Sequence, residues 1–205
     1  MKKLFVTMLA VITTVSLFAI KPVTLEGNFN VKKNKGAVAV YTINWDNTQC
    51  GSIDDGVFVN GSMPIAEWLA ARDAQKIEEG KPEDANYVKD WDAIKAEGDK
   101  YFKEEWNDEF GKKGLKLTRN EAEAQYRFDV EIEGLDWGNL AGSMFGWGNA
   151  GGAIIIGHAD ISDINTGEKL ATFKLNHVQG SGHFTDRFRI LLVLHALVEE
   201  IEDVY

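Results

Sequence analysis

Residues 126–133 read YRFDVEIE, and apolar side chains alternate with polar ones along the whole stretch. Phe128, Val130 and Ile132 share one side of an extended chain, because successive side chains of a strand point to opposite faces. The pattern predicts a β-strand with one face in the core and the other face in water. It is the clearest strand pattern in the chain.

The sequence that follows predicts a hairpin and a closing helix. Residues 153–161 and 168–179 predict two further strands, joined by a tight turn at residues 163–167. Thr185 is predicted to cap a last helix, which runs to about Asp203 and is apolar almost all round. Such a helix buries most of its surface, so we expect it to lie across the sheet.

Two strands and two helices are predicted upstream. Residues 23–31 and 37–45 alternate like strands, and a polar turn separates them. Ser62 is a predicted cap for a helix that stops at Gly80, and a second helix begins near Asp90.

The predicted order is β-β-α-α-β-β-β-α. We expect a single α+β domain over residues 20–205, with a mainly antiparallel sheet and amphipathic helices packed on one face.

Residues 1–19 are predicted to be a secretory signal peptide. Lys2 and Lys3 precede an uncharged apolar run, and Ala19 offers a small residue for cleavage. The alternative is a retained membrane anchor, since a span needs about 17–25 residues and the run is at the low end. Cleavage would place the protein in the periplasm or outside the cell, with no stable membrane span.

The composition narrows the function classes. The 205 residues carry 32 acidic and 22 basic side chains, for a net charge of −10. This balance argues against nucleic-acid binding, which calls for clustered cations. The lone Cys50 excludes an intramolecular disulfide and a zinc site built from several thiolates.

The Gly-rich stretch 137–152 carries Trp137, Phe145 and Trp147. Residues 146–151 match G-x-G-x-x-G by letter, but a strand rather than a helix follows, so dinucleotide binding is not favoured. Either the rings of this stretch are tucked onto the core, or they are exposed and bind a partner. On the second interpretation, the three aromatic residues are the partner-binding residues.

The histidines give a weaker hypothesis. His158, Asp160, His177 and His183 are candidate ligands only if their side chains converge on one ion. Alternatively, these histidines only make hydrogen bonds that stabilise the fold. We predict no metal or other cofactor. Signatures for nucleophilic catalysis, such as G-x-S-x-G and S-x-x-K, do not occur, so a non-enzyme is favoured and no catalytic residue is predicted.

Three segments carry a family resemblance. The first is residues 122–136, which read AEAQYRFDVEIEGLD, and the second is residues 153–182, which contain the turn DINTGE. The third is residues 185–205, which contain the last predicted helix. This part of the chain resembles secreted hypothetical proteins of Bacteroides-type bacteria and, more distantly, CsgG-like and TolB N-terminal-like envelope modules. The resemblance implies a strand hairpin closed by a helix, and it implies no catalytic residues.

Three functional hypotheses follow. The first is an exported, non-catalytic binding or assembly accessory of the envelope, whose partner is an envelope protein or a glycan. The second is a histidine-based metalloprotein or hydrolase. The third is a structural, oligomeric envelope protein. The sequence leaves the partner and the oligomeric state open.

Overall fold

The computed structural model describes residues 20–138 and 151–205. Helices lie against one face of a large, mostly antiparallel sheet, which confirms the predicted α+β class. The strands of the described residues are β1 Val23–Gly27, β2 Val38–Asn44, β3 Gln49–Cys50, β4 Ile53–Asp54, β5 Val57–Phe58, β6 Met63–Pro64, β7 Lys116–Thr118, β8 Tyr126–Asp136, β9 Ile154–Asp163 and β10 Lys169–Gln179. The α-helices of these same residues are α1 Ile65–Glu78, α2 Tyr87–Glu109 and α3 Asp186–Asp203.

The sheet has the strand order β1-β10-β9-β8-β2-β7. Strands β8, β9 and β10 form the predicted antiparallel meander, in which Phe128 pairs with Ile161, and Ala159 with Phe173. Strand β2 runs parallel to both β8 and β7, which the sequence pattern did not predict. Short strand β3 continues beside the far end of β8, where Cys50 pairs with Leu135.

The core lies between the sheet and the helices. Phe128, Val130 and Ile132 are buried, as the alternation predicts, and Trp106 and Phe102 of α2 pack over Phe128. Helix α3 packs against α2 and β10, and most of its apolar side chains are buried. Phe188 is an exception, because it lies on the exposed side of the first turn of α3.

The end of β1 and the start of α1 differ from their predicted positions. Strand β1 ends at Gly27, whose φ of +101° turns the chain, and a Cβ there would lie 2.4 Å from the carbonyl oxygen of Leu170. Helix α1 begins at Ile65 behind Pro64, so the predicted cap Ser62 is wrong. The stretch around Ser62 is extended because Met63–Pro64 pairs with β3.

Helix α2 begins at Tyr87, slightly earlier than the predicted start near Asp90. The carboxylate of Asp73 on α1 accepts hydrogen bonds from the backbone N–H groups of Tyr87 and Val88, at 2.7 and 3.1 Å. The first turn of α2 therefore has a cap from another helix, which local sequence patterns do not show. Within residues 20–138 and 151–205, no helix is long and apolar enough to cross a membrane.

Candidate functional site

Two adjoining cavities share the side chains of Arg72, Asp186 and Arg189. They lie where the starts of α2 and α3 meet α1 and the end of β8. We call them together the Arg72–Arg189 cavity. The inner part, about 370 Å³, is also lined by Gly51, Ser52, Trp68, Asp136, Trp137 and Gly138. The outer part, about 530 Å³, opens toward Tyr87 and Phe184.

The apolar wall of the inner part is a pair of stacked tryptophans. The rings of Trp68 and Trp137 lie 4.7 Å apart with an interplanar angle of 1°. Trp137 also contacts Trp91 of α2, at 5.7 Å between ring centroids, and only 5% of its surface is exposed. The stack therefore joins the end of β8 to two helices and holds this wall in a fixed geometry.

Arg72 extends from α1 over the aromatic side chains. Its guanidinium carbon lies 5.3 Å from the ring centroid of Trp68 and 5.6 Å from that of Tyr87, within the range of cation–π contact. Its Nη1 donates to Oε1 of Gln75 at 2.9 Å. Its Nε is buried without a hydrogen-bond partner, so one N–H group of this cation is unused.

Arg189 is a buried cation near the start of helix α3, with 5% of its surface exposed. Its Nη2 is paired with Oδ1 of Asp186, and its Nη1 lies 3.4 Å from the carbonyl oxygen of Gly151. Its Nε is also buried without a partner. Nε1 of Trp137, in the same cavity wall, is a third buried donor without a partner. Buried donors without acceptors are rare in folded proteins, so three of them lining one cavity mark it as unusual.

The carboxylate of Asp136 is occupied by backbone donors. Oδ1 accepts from the N–H of Gly138 at 2.8 Å, and Oδ2 accepts from the N–H of Ile53 at 3.1 Å. These bonds fix the end of β8 against the β3–β4 connection. Asp136 therefore shapes the cavity wall rather than pairing with the arginines.

Two titratable groups at this site have shifted pKa values. Burial raises the pKa of Tyr87, and the nearby carboxylate of Asp186 adds to the shift, whereas Arg72 opposes it. Burial also raises the pKa of the Cys50 thiol to about 12. A thiol with a raised pKa is a poor nucleophile at neutral pH, so Cys50 acts as a small core residue.

The sequence hypothesis for partner binding named Trp137, Phe145 and Trp147. Trp137 is buried, as expected if aromatic rings of this stretch pack against the core. Phe145 and Trp147 lie outside the described residues. Their segment, residues 139–150, leaves the described chain at Gly138 and rejoins it at Gly151, and both glycines contact the Arg72–Arg189 cavity or its arginines.

The candidate metal ligands lie in separate surroundings. His158 and Asp160 share the open face of the sheet, where Nδ1 of His158 lies 2.9 Å from Oε1 of Glu133. His177 lies at the bulge in β10, and His183 contacts Thr185 before α3. In the part of the chain that the structure describes, no three His, Cys, Asp or Glu side chains are placed to hold one metal ion.

A second polar depression, of about 430 Å³, lies on the open face of the sheet beside His158. Its lining includes Glu133, Lys174, Asn176 and Asp55 of the β4–β5 hairpin. The charged groups here are exposed and paired across strands, as in the ion pair of Lys174 with Glu26 at 2.6 Å. Such pairs are typical of a solvated sheet face.

Sequence reasoning missed Arg72 and Arg189. Arg189 carries a visible signal, because it is the only cation within the apolar run from Phe188 to Leu194. A charge in such a run lies against the core and needs a polar environment there. Arg72 lies four residues after Trp68 on α1, so helical spacing alone places these two side chains on one face. Its contact with Tyr87 depends on the tertiary fold.

Comparison with protein-family models and with curated proteins gives no match. Among solved structures, the chain is similar to the PelC dodecamer from Paraburkholderia phytofirmans and to a point variant of that dodecamer. Each alignment has 9% sequence identity and a TM-score of 0.37, and covers 87% of this chain and 95% of the PelC chain. At this TM-score the likeness supports no conclusion about function.

Proposed function

We propose that this protein is an exported, non-catalytic binding or assembly accessory of the bacterial cell envelope. Its partner, an envelope protein or a glycan, is recognised at the Arg72–Arg189 cavity and by the segment of residues 139–150 attached beside it. The observation that carries the proposal is the pair of buried arginine Nε donors without acceptors in a cavity walled by stacked tryptophans.

The chemistry of the cavity favours recognition over catalysis. Its lining offers guanidinium donors, aromatic rings and a carboxylate engaged by backbone N–H groups. Arginine and tryptophan are the residue types in which binding energy concentrates at interfaces. The one thiol nearby, on Cys50, is held protonated by its raised pKa, so it does not supply a nucleophile.

The attachment of residues 139–150 supports a role for Phe145 and Trp147. Gly138 lines the inner cavity, and the carbonyl oxygen of Gly151 faces Nη1 of Arg189. Phe145 and Trp147 belong to the sequence that joins these two glycines. Aromatic side chains are suited to anchor a partner.

Export and partner binding are tested separately. A fusion of the chain to a reporter enzyme that is active only after export should give activity, and deletion of residues 1–19 should remove it. For binding, the Phe145→Ala, Trp147→Ala double variant should recover its envelope partner at least about tenfold less in crosslinking and affinity purification, the usual scale for losing an aromatic anchor.

The matched control is Val57→Ala, which removes an exposed apolar side chain from the β4–β5 hairpin and leaves the cavity intact. It should recover the partner at the wild-type level. A cytosolic reporter fusion, or equal recovery by the double variant and the wild type, would contradict the proposed function.

A further inference from the structure

We propose that the Arg72–Arg189 cavity binds its ligand through a single oxoanion group, a carboxylate or a phosphate, carried on an otherwise uncharged molecule. This inference deepens the proposed function by naming the chemical group that is recognised, and it rests on that function only for the identity of the whole ligand.

Arg72 presents the edge that oxoanions prefer. Its Nη1 donates to Oε1 of Gln75, and its buried Nε has no hydrogen-bond partner among the described residues. Nε and Nη2 point to the same side of the planar guanidinium, so together they match two oxygens of one carboxylate or phosphate. The stacking of this group over Trp68 and Tyr87 holds the edge in position.

Arg189 supplies a second donor to the same space. The side chain is more than nine-tenths buried, and its two Nη atoms already face Asp186 and Gly151. Its Nε retains a donor that no described group accepts. An oxygen of the ligand that accepts from this Nε would complete the hydrogen bonding of a buried cation.

The inner part of the cavity is lined by two cations, Arg72 and Arg189, and two carboxylates, Asp136 and Asp186. Asp186 pairs with Arg189, and the carboxylate of Asp136 accepts from the backbone N–H groups of Ile53 and Gly138 instead of pairing with Arg72. The charge of Arg72 is therefore open to a ligand anion. The exposed rim of the outer part carries Glu83, Asp84 and Asp90, which repel a highly charged polyanion.

The size and walls of the cavity fit a small ligand or a terminal group of a larger one. Ligand pockets occupy about 300–1,000 Å³, and the inner part has about 370 Å³. The edges of Trp68 and Trp137 form its apolar wall, and Tyr87 with the exposed Phe184 lines the outer part. An oxoanion seated on the arginines would leave the uncharged remainder against these rings.

The test titrates purified protein with sodium acetate and with inorganic phosphate, each against sodium chloride at matched ionic strength. Stabilisation by a bound anion should raise Tm by about 2–4 °C over the chloride control. A rise with acetate alone identifies carboxylate as the preferred group, and a rise with phosphate alone identifies phosphate. A rise with both supports oxoanion binding in general.

Variants at Arg72 separate a specific site from a general salt effect. Arg72→Gln should weaken anion binding at least about tenfold, because it removes both the charge and the two-donor edge. Arg72→Lys keeps the charge without the edge and should also lose most of the rise in Tm. The matched control is Arg187→Gln, on the exposed side of α3, which removes a surface pair with Glu97 and should respond like the wild type.

The proposal is overturned if neither anion raises Tm above the chloride control, or if Arg72→Gln keeps the full rise. Full binding by Arg72→Lys would overturn the two-donor geometry. These results are distinguishable from failure of the proposed function. If the protein is exported and binds its partner but binds neither anion, only the oxoanion inference is wrong. If the protein is cytosolic and binds the anions, only the proposed envelope function is wrong.

Discussion

The indole rings of Trp68 and Trp137 stack in parallel, 4.7 Å apart, and so tie helix α1 to the end of strand β8. Trp137 belongs to the Gly-rich stretch for which the sequence left two interpretations open, burial of the aromatic rings against the core or a partner-binding surface. Its side chain is nonetheless part of the core, with further contact to Trp91. Only Phe145 and Trp147 of the three named aromatic residues therefore remain as candidate anchors.

Trp137→Ala should lower the free energy of unfolding by about 3–5 kcal/mol, the usual cost of truncating a buried tryptophan. The loss combines the removed apolar surface with the broken stack against Trp68. Urea unfolding followed by circular dichroism measures it. The control Phe184→Ala removes a ring that is 66% exposed and should change stability by no more than about 0.5 kcal/mol. Equal losses in the two variants would show that Trp137 is not a core residue.

Asp73→Ala should destabilise the protein by about 1–2 kcal/mol, because it removes the acceptors for the backbone N–H groups of Tyr87 and Val88 at the start of α2. Asp73→Asn keeps one acceptor oxygen and should lose less. The measurement is the urea midpoint at constant m-value.

Asp92→Ala is the matched control for this cap. It removes a carboxylate of α2, the capped helix, where Asp92 makes only an exposed pair with Lys95, and it should cost less than about 0.5 kcal/mol. If Asp73→Ala were as mild as Asp92→Ala, the capping role of Asp73 would be refuted.

Elements that depend on local interactions were predictable from the sequence, and elements that depend on contacts between distant segments were not. Strands β8 to β10 and helix α3 were predictable because their periodicity and turn chemistry are local, as in the turn where Asp163 accepts from the N–H groups of Asn165 and Thr166. The start of α2 was placed three residues late because its cap comes from α1. The parallel pairing of β2 with β8 joins distant segments, and no local pattern encodes it.

The candidate site was less predictable than the fold for the same reason. Arg72 and Arg189 lie on different helices, and their shared cavity exists only after α1, α3 and the end of β8 have packed together. The four candidate metal ligands, in contrast, were visible in the sequence but do not come together in the structure. His158 and Asp160 share a sheet face, as their two-residue spacing predicts, but His177 and His183 lie in other surroundings.

Stability should fall as the pH rises from about 9 to about 12. Burial raises the pKa of Cys50 from 9.0 to about 12 and that of Tyr205 from 10.0 to about 12. The unfolded chain therefore releases these protons first, so the stabilisation is complete below the unfolded pKa values and is lost toward the folded ones. Each fully titrating group contributes a slope of about 1.4 kcal/mol per pH unit.

Tyr205→Phe isolates one of these contributions. The variant loses the hydrogen bond from the phenol to the carbonyl oxygen of Phe29, at 2.9 Å, and should be less stable at neutral pH. Its free energy of unfolding should then decline less steeply than that of the wild type above pH 10. Urea titrations at several alkaline pH values measure the slopes, and parallel slopes would refute the role of Tyr205.

The Cys50 thiol should not react with a disulfide reagent such as Ellman's reagent at pH 8 while the protein is folded. It is buried, and its raised pKa leaves almost no thiolate to attack. Unfolding in urea should release one reactive thiol per chain. Rapid reaction of the folded protein would show that the inner wall beside Cys50 opens readily.

Gly98→Val should destabilise the protein by about 1–3 kcal/mol, through the contact between α2 and α3. A Cβ at Gly98 would already lie 3.0 Å from Cδ1 of Leu194 and 3.8 Å from Cγ2 of Ile190, so the two methyl groups of valine have no room. The control Ala96→Val introduces the same side chain on the exposed side of α2 and should cost only the helix propensity, about 0.5 kcal/mol. Urea unfolding of both variants gives the difference between their free energies of unfolding, which reports how tightly α2 and α3 pack at Gly98. Equal costs would mean that α2 and α3 can move apart freely at this point, and that Gly98 has no packing role.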